Sequence, residues 1–282
     1  MSDVKPSISI ERLTHRYPNG HEALRAIDLE ILHEKIVALI GKNGAGKTTL
    51  AKHINGLLKP TLGSVKVMGV DTSTKTASEM AKDVGYVFQN PEDQLFEASA
   101  HDEVAFGPRN LGMDREETES EVNHALSMVG LLPMISEHPY NLTYGQRKML
   151  CIAAVLAMRP KILILDEPNA GQDYSGLQLL GTLLRELDRE HKTILLISHD
   201  MDFVGEFSDE TVLMHDGEIV AHGSTRSVLS DLSKLKSTAV RPPQVTRVAI
   251  QLSDDRVRHD IMTVREMVET LTHNVSGTAR MR

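Results

Sequence analysis

Short apolar runs alternate with amphipathic stretches along most of the chain. Ser7 to Leu13 alternates apolar and polar positions, which predicts a half-exposed strand. Tyr17-Pro-Asn-Gly20 predicts a turn. Ile36 to Ile40 is an apolar run ending at Gly41 and predicts a buried strand. Thr48 to Leu58 predicts a helix with Leu50, Ile54 and Leu57 on one face, closed by Gly56 and Pro60. Asp71 to Ser78 is small and polar and is expected to be a loop. Asp114 to Val129 predicts a second helix, with capping-box spacing between Asp114 and Glu117 and an apolar stripe of Val122, Ala125, Leu126 and Val129. A further helix is expected through Met149 to Met158. Ile162 to Leu165 and Thr193 to Ile197 are again strand-like, and Leu177, Leu180, Leu184 and Leu187 mark an amphipathic helix between them. This alternation predicts a parallel α/β sheet. After Lys236 the composition shifts. Pro242-Pro243 reads as a linker, Val245 to Leu252 as a strand, and Thr263 with Glu266 as the opening of a helix. The expected division is therefore a main unit over 1–235 and a small C-terminal unit over 236–282.

Composition narrows the classes. The 282 residues are 40% hydrophobic and 25% charged, as in an ordinary globular chain. A net charge of −8, with 4% aromatics and no Trp, argues against a nucleic-acid binder, which needs basic surface and stacking platforms. The longest apolar run, Met149 to Met158, is far short of the ~18–20 residues that span a bilayer. Met1 to Pro6 has no apolar core and is not expected to be a secretory signal. The one cysteine, Cys151, cannot form an internal disulfide. The expectation is a soluble protein of a reducing compartment, with peripheral attachment to a membrane protein left open.

The main chemical signal is Gly41-Lys42-Asn43-Gly44-Ala45-Gly46-Lys47-Thr48, followed by Thr49, which fits G-x-x-x-x-G-K-[ST] between a predicted strand and a predicted helix. Glycines let consecutive N–H groups turn toward one anion, and the helix start adds partial positive charge. Lys47 can reach the β- and γ-phosphates, and the Thr48 hydroxyl can ligate Mg²⁺. The apolar run Ile162 to Leu165 ends in Asp166-Glu167-Pro168. A carboxylate there can stand on the Mg²⁺ side of the same phosphate site, leaving Glu167 to face an attacking water.

With these residues in place the chain resembles the ATPase subunit of an ATP-binding cassette (ABC) transporter, in order from Ser7 to about Val228. Gln89 resembles the Q-loop glutamine at the Mg²⁺–water edge. Leu142-Thr143-Tyr144-Gly145-Gln146 resembles the signature motif, Ala170-Gly171-Gln172-Asp173 the D-loop of dimer communication, and His199 the switch histidine. Tyr17 resembles the aromatic that stacks on adenine. The resemblance implies a P-loop NTPase fold with a mixed sheet core, an inserted helical subdomain over about 90–160 and a small C-terminal α/β extension. It also implies ATP and Mg²⁺, and a dimer, homo- or heteromeric, in which Thr143, Gly145 and Gln146 face the partner's ATP. Thr143 and Gln146 have capping-box spacing, so the signature is expected to open a helix. Tyr144 stands where the family usually has glycine. Its side chain either turns outward, leaving the backbone donors free and packing the phenol at the dimer interface, or weakens closure; the first is expected. Arg147-Lys148-Met149, Asn169 and Gln172 also depart from the commoner pattern.

Asn90 to Phe96 and Asp102 to Asn110 resemble the ATPases of energy-coupling factor (ECF) transporters, which import vitamins or transition-metal ions such as cobalt and nickel. Pro242 to Leu252 resembles their appended dimerisation segment. The implied partners are a transmembrane coupling subunit and a substrate-binding membrane subunit, with the chain peripheral on the cytoplasmic face and no nucleic acid involved. Gln94-Leu95-Phe96 and Ala105-Phe106-Gly107 are expected to expose apolar groups to a membrane partner. The competing readings are a soluble ABC ATPase of DNA repair or translation, and a weakly catalytic partner in a heterodimer. Coiled-coil heptads or a second phosphate loop would mark the former, and neither occurs in the sequence.

Overall fold

The computed structural model describes residues 6–252 and 257–278, the last six of them by backbone alone. Ten strands and eleven α-helices appear among the described residues. An antiparallel sheet is built from β1 (Ile8–Arg16), β2 (Glu22–Ile31), β4 (Leu62–Val67) and β5 (Val70–Asp71), in the order β2-β1-β4-β5. The second sheet contains β3 (Ile36–Ile40), β6 (Val84–Val87), β7 (Ile162–Asp166), β8 (Thr193–Ile197), β9 (Glu210–His215) and β10 (Glu218–Ser224), in the order β10-β9-β3-β8-β7-β6. Its strands are parallel except β10.

Every residue of β3, β7 and β8 is buried, because both faces of this sheet are covered. The pleat divides the apolar side chains of β7 and β8 between two cores. Leu163 and Leu165 join Leu126, Leu150 and Leu184 on one face, while Ile162 and Ile164 join Leu39, Leu50 and Ile8 on the other. The first core is closed by α3 (Ala100–Asn110), α4 (Arg115–Met128), α5 (Tyr144–Leu156) and α6 (Tyr174–Arg189). The second lies under the antiparallel sheet and α1 (Lys47–Ile54). A third surrounds α7 (Met201–Phe207), α8 (Thr225–Ser230) and α9 (Leu232–Ser237).

Several local expectations change. The helix after the phosphate loop ends at Ile54, because Gly56 takes the left-handed conformation and Asn55 turns its Oδ1 to the Leu57 N–H; Leu57 is exposed rather than on the buried stripe. The stretch from Asp71 to Ser78 is not a plain loop. It completes β5, makes a 3₁₀ turn at Thr72–Thr74 and enters α2 (Ala77–Met80) through a capping box between Thr76 and Glu79. The strand expected at Val245 to Leu252 is a helix, α10 (Gln244–Gln251), so the described part of the extension is helical rather than α/β. Its β-branched residues suggested a strand, but Thr246 and Ala249 are the buried pair, a helical spacing that packing imposes over weak propensity. α11 (Val264–Thr278) follows, with the Glu266 N–H on Thr263 as the spacing predicted. Ala249, Val257, Ile261 and Met267 form a small core of their own. Arg226 ties it to the main unit through Glu266 (2.5 Å) and the Asp260 carbonyl (2.5 Å).

Candidate active site

The carboxyl ends of β3, β8, β7 and β6 lie side by side, and each delivers one predicted residue or loop. Gly41 follows β3, His199 follows β8, Asp166 ends β7 and Gln89 follows β6. Parallel neighbours end at the same level, as the pairs Leu39–Ile197, Asp166–Ile197 and Val87–Leu165 record. Such a row of strand ends is where open α/β sheets hold ligands.

The phosphate loop needs its glycines. Gly41, Gly44 and Gly46 have φ of +146°, +83° and +100°. A Cβ on Gly41 would stand 2.3 Å from the Met214 carbonyl oxygen, and one on Gly46 2.7 Å from that of Ala23. Lys47 folds back so that its Nζ donates to the carbonyls of Gly41 (2.8 Å) and Lys42 (3.1 Å). Burial pulls the Lys47 ammonium below its usual range, with Glu167 and Asp166 opposing the shift. An anion cradled by the loop would remove that penalty. Tyr17, Asn43 to Thr49, Gln89, Asp166 and Glu167 line a cavity of about 340 Å³. A second opening of about 510 Å³ adjoins it at Asn43, Gln89 and Glu167 and reaches His199.

At the far wall the Thr48 hydroxyl donates to Asp166 Oδ2 (3.2 Å), and the buried Tyr86 hydroxyl donates to the same oxygen (2.9 Å). Burial raises the Tyr86 phenol, and the charge of Asp166 adds to the shift. A hydroxyl and a carboxylate oxygen side by side suit a hard divalent cation whose remaining ligands would be water and phosphate oxygens. Glu167 lies in the left-handed region, with φ +52°, and its N–H donates to the Ile197 carbonyl at 2.9 Å. Its Oε2 is 2.7 Å from His199 Nδ1. The imidazole is exposed, at 68%, while the carboxylate is buried. The pair thus spans from the strand end to the open side of the site.

The signature forms the predicted capping box. Gln146 N–H donates to Thr143 Oγ1 (3.3 Å), and Gln146 Oε1 accepts from the Thr143 N–H (2.9 Å). Tyr144 is 39% exposed and its ring turns onto Gly171, where an added Cβ would meet it at 2.5 Å. Gln172 Nε2 donates to the Gly145 carbonyl (3.2 Å), so the D-loop holds the start of α5 within one chain. Asp173 caps α6 by accepting from the Gly176 N–H (2.7 Å). Tyr17 lies at the cavity rim, its hydroxyl 3.1 Å from Thr49 Oγ1 and its ring edge-on to His15.

The apolar exposure expected after Gln89 needs correcting. Leu95 is buried, at 4% exposure, and so is Ala105. Gln94 is spent internally, with Nε2 on the Cys151 carbonyl (2.9 Å) and Oε1 on the Phe88 N–H (3.1 Å). Phe96 and Phe106 are the exposed groups and stack edge-on with centroids 4.8 Å apart.

Sequence reasoning assigned no role to Tyr86, His53 or Lys148. Tyr86 is a polar-tipped residue near the end of an otherwise apolar strand, which is a usable signal. His53 is fully buried and bonds the Thr49 carbonyl (2.7 Å) and His15 (3.1 Å), supporting α1 behind Tyr17. Lys148 sits among the buried positions of α5.

The fold and this site define a P-loop nucleotide-binding cassette. The ABC transporter family profile matches residues 24–170. The energy-coupling factor transporter ATP-binding protein EcfA of Methanocaldococcus jannaschii is 39% identical over 243 residues, covering 86% of this chain and 87% of that protein. A putative ABC transporter ATP-binding protein of Caldanaerobacter subterraneus subsp. tengcongensis is 40% identical over 93% of this chain, which spans 45% of that longer relative. The solved structure of cbiO1 from Clostridium perfringens, described as part of the ABC transporter complex cbiONQ, superimposes with a TM-score of 0.75 at 32% identity, covering 89% of this chain and 100% of that one. The chain belongs to the ABC transporter ATP-binding proteins, among those of the energy-coupling factor type.

Proposed function

We propose that this chain is the energy-coupling subunit of an ECF-type importer that takes up a transition-metal ion, cobalt or nickel, or a vitamin. ATP hydrolysis in its cavity would drive membrane partners: a transmembrane coupling subunit and a substrate-binding subunit. The observation that carries the coupling reading is the Phe96–Phe106 pair, which follows Gln89 in the chain and is exposed among the described residues. Among the described residues no helix is long and apolar enough to cross a membrane, so the chain would reach the cytoplasmic face through such contacts.

In this reading the backbone of Gly41 to Thr49 and the Lys47 ammonium hold the phosphates, and Tyr17 supports the base. Lys47 exchanges its carbonyl partners for phosphate oxygens. Thr48 and Asp166 would hold Mg²⁺, with Gln89 lining the same cavity; the ion would neutralise charge developing on the phosphates. Glu167 orients water and accepts its proton, and His199 fixes Glu167 on one side and the γ-phosphate on the other. Thr143, Gly145 and Gln146 serve the partner's nucleotide in a head-to-tail dimer, with Asp173 between the two sites. The main unit is 1–235, with its helical subdomain near 90–160, and 236–282 is a dimerisation segment. Support for the last point is the set of exposed apolar residues Val248 on α10, Leu252 just after it, and Val264, Val268 and Leu271 on α11.

The test is Glu167→Gln in the purified chain. The amide keeps shape and loses basicity, so ATP binding persists while turnover falls by about 10²–10⁴. Near-normal turnover would reject the assignment. Co-purification of tagged chain with a membrane protein tests the importer reading, and its loss in Phe96→Asp tests the docking site.

A further inference from the structure

The least expected side chain in the core is Lys148. It is 2% exposed, and its only hydrogen bond among the described residues runs from Nζ to the main-chain carbonyl of Glu167. No carboxylate forms a salt bridge with it among the described residues. A buried ammonium without an ion pair is costly, so a lysine here needs a compensating role. Its target is the one residue at the end of β7 held in the left-handed region, at φ +52°. A non-glycine residue keeps such a backbone only where its surroundings hold it. The Glu167 N–H is held by Ile197, its carboxylate by His199, and its carbonyl by Lys148 and the Ala170 N–H at 3.3 Å. Burial pulls the Lys148 ammonium below its usual range, while Glu167 and Asp166 oppose the shift, so their field is felt at Nζ.

We propose that Lys148 is a positioning residue for hydrolysis: it pins the Glu167 peptide from the signature helix and so holds the carboxylate where water must be activated. This rests on the role given to Glu167 above. Lys148 stands one helical turn beyond Tyr144, whose ring lies 6.0 Å from Nζ, and α5 begins at the signature. A shift of α5 toward or away from a partner's nucleotide therefore moves the same lever that holds the chain's own Glu167. Each chain's catalytic carboxylate would be set by the state of its signature helix, without the carboxylate touching the partner.

The experiment compares Lys148→Met, which keeps length and removes the donor, with Lys148→Gln, which keeps a donor and removes the charge. Both are made alone and with Glu167→Gln, and steady-state ATPase and ATP binding are measured on the full chain. Expected for Lys148→Met is a kcat lower by about ten- to a hundredfold, the scale of a misplaced catalytic group, with KM and ATP affinity within about twofold. Lys148→Gln should recover several-fold of the lost rate. With Glu167→Gln in place, Lys148→Met should cost nothing further, because the two act as one unit. A kcat near wild type, a KM effect without a kcat effect, or a full additional loss in the double variant would each overturn the proposal. Should Lys148→Met fail to fold, Lys148→Gln and its double variant decide by the same kcat and additivity criteria. Normal turnover in Glu167→Gln alone would instead reject the role of Glu167.

Discussion

Replacing Gly46 by alanine imposes two separable costs, and Gly44 provides the control that divides them. Both residues have positive φ, +100° and +83°, so each alanine carries a backbone penalty of about 1–2 kcal/mol. At Gly44 nothing lies within 4 Å of an added Cβ, and that penalty is the whole effect. At Gly46 the new methyl meets the Ala23 carbonyl oxygen at 2.7 Å and Leu24 Cδ2 at 2.9 Å. The carbonyl belongs to β2 and cannot swing aside as a side chain could, so overpacking adds about 1–3 kcal/mol. With roughly 2–4 °C lost per kcal/mol in a chain of this size, Gly44→Ala should lower Tm by about 2–8 °C. Gly46→Ala should lower it by roughly 4–20 °C on the same scale. Thermal unfolding of nucleotide-free protein by circular dichroism, at one scan rate, reads the difference. Equal shifts, or a larger one for Gly44→Ala, would refute the claim that contact with β2 reserves position 46 for glycine.

Three further outcomes follow from other parts of the molecule. Phe96→Asp should change the unfolding free energy read by urea little, within about 0.5 kcal/mol, while Leu95→Asp should not yield folded protein, since only the second buries a charge. Hydrogen bonding to Glu119 raises His101, so the charged imidazole stabilises α3 against α4; this contribution is complete below the unfolded pKa near 6.5 and disappears as pH rises through the higher folded value. Urea unfolding of His101→Gln should therefore show a stability deficit at pH 5.5 that shrinks by pH 8.5, and a deficit growing with pH would contradict the pairing. Tyr144→Gly should alter the ATPase rate only a few-fold, under ~1.4 kcal/mol on the barrier; a hundredfold gain would mean that the tyrosine had been restraining the site.

What could be read in the sequence was what depends on neighbours along the chain. Ile36 to Ile40, Ile162 to Leu165 and Thr193 to Ile197 lie in strands buried on both faces, and such strands advertise themselves as unbroken apolar runs. The glycine spacing of the phosphate loop and the capping residues Asp114 and Thr143 were equally local. What escaped notice depended on contacts between distant segments. Gln94 and Leu95 were expected at the surface because their stretch resembles a partner-facing segment of the ECF ATPases, yet Gln94 bonds the Cys151 carbonyl, 57 residues away, and Leu95 packs in the core with Leu150. Val245 to Leu252 carries strand-like residues, but no sheet edge pairs with it, and burial of Thr246 and Ala249 makes it a helix. Tyr86 and Lys148 show their roles only when β6, β7 and α5 are brought together.

The departure from glycine at position 144 is understandable in the same physical terms. A tyrosine at the first residue of α5 would obstruct an incoming phosphate only if its ring crossed the helix axis. Its ring lies against Gly171, which at φ +74° has no side chain and leaves a shelf that the ring covers. In the proposed reading, the first-turn N–H groups of Tyr144 and Gly145 would offer an anion both donors and the helix dipole. The ring also gives the D-loop a second hold on the helix, beside the hydrogen bond from Gln172 to Gly145. Tyr144 and Gln172, two departures from the family's commoner residues, thus meet the same helix start from the same side. Separately each looks like a loss of the pattern. Together they exchange a flexible glycine at the signature for a helix start clamped by its own D-loop, with Lys148 carrying that clamp one turn further to Glu167.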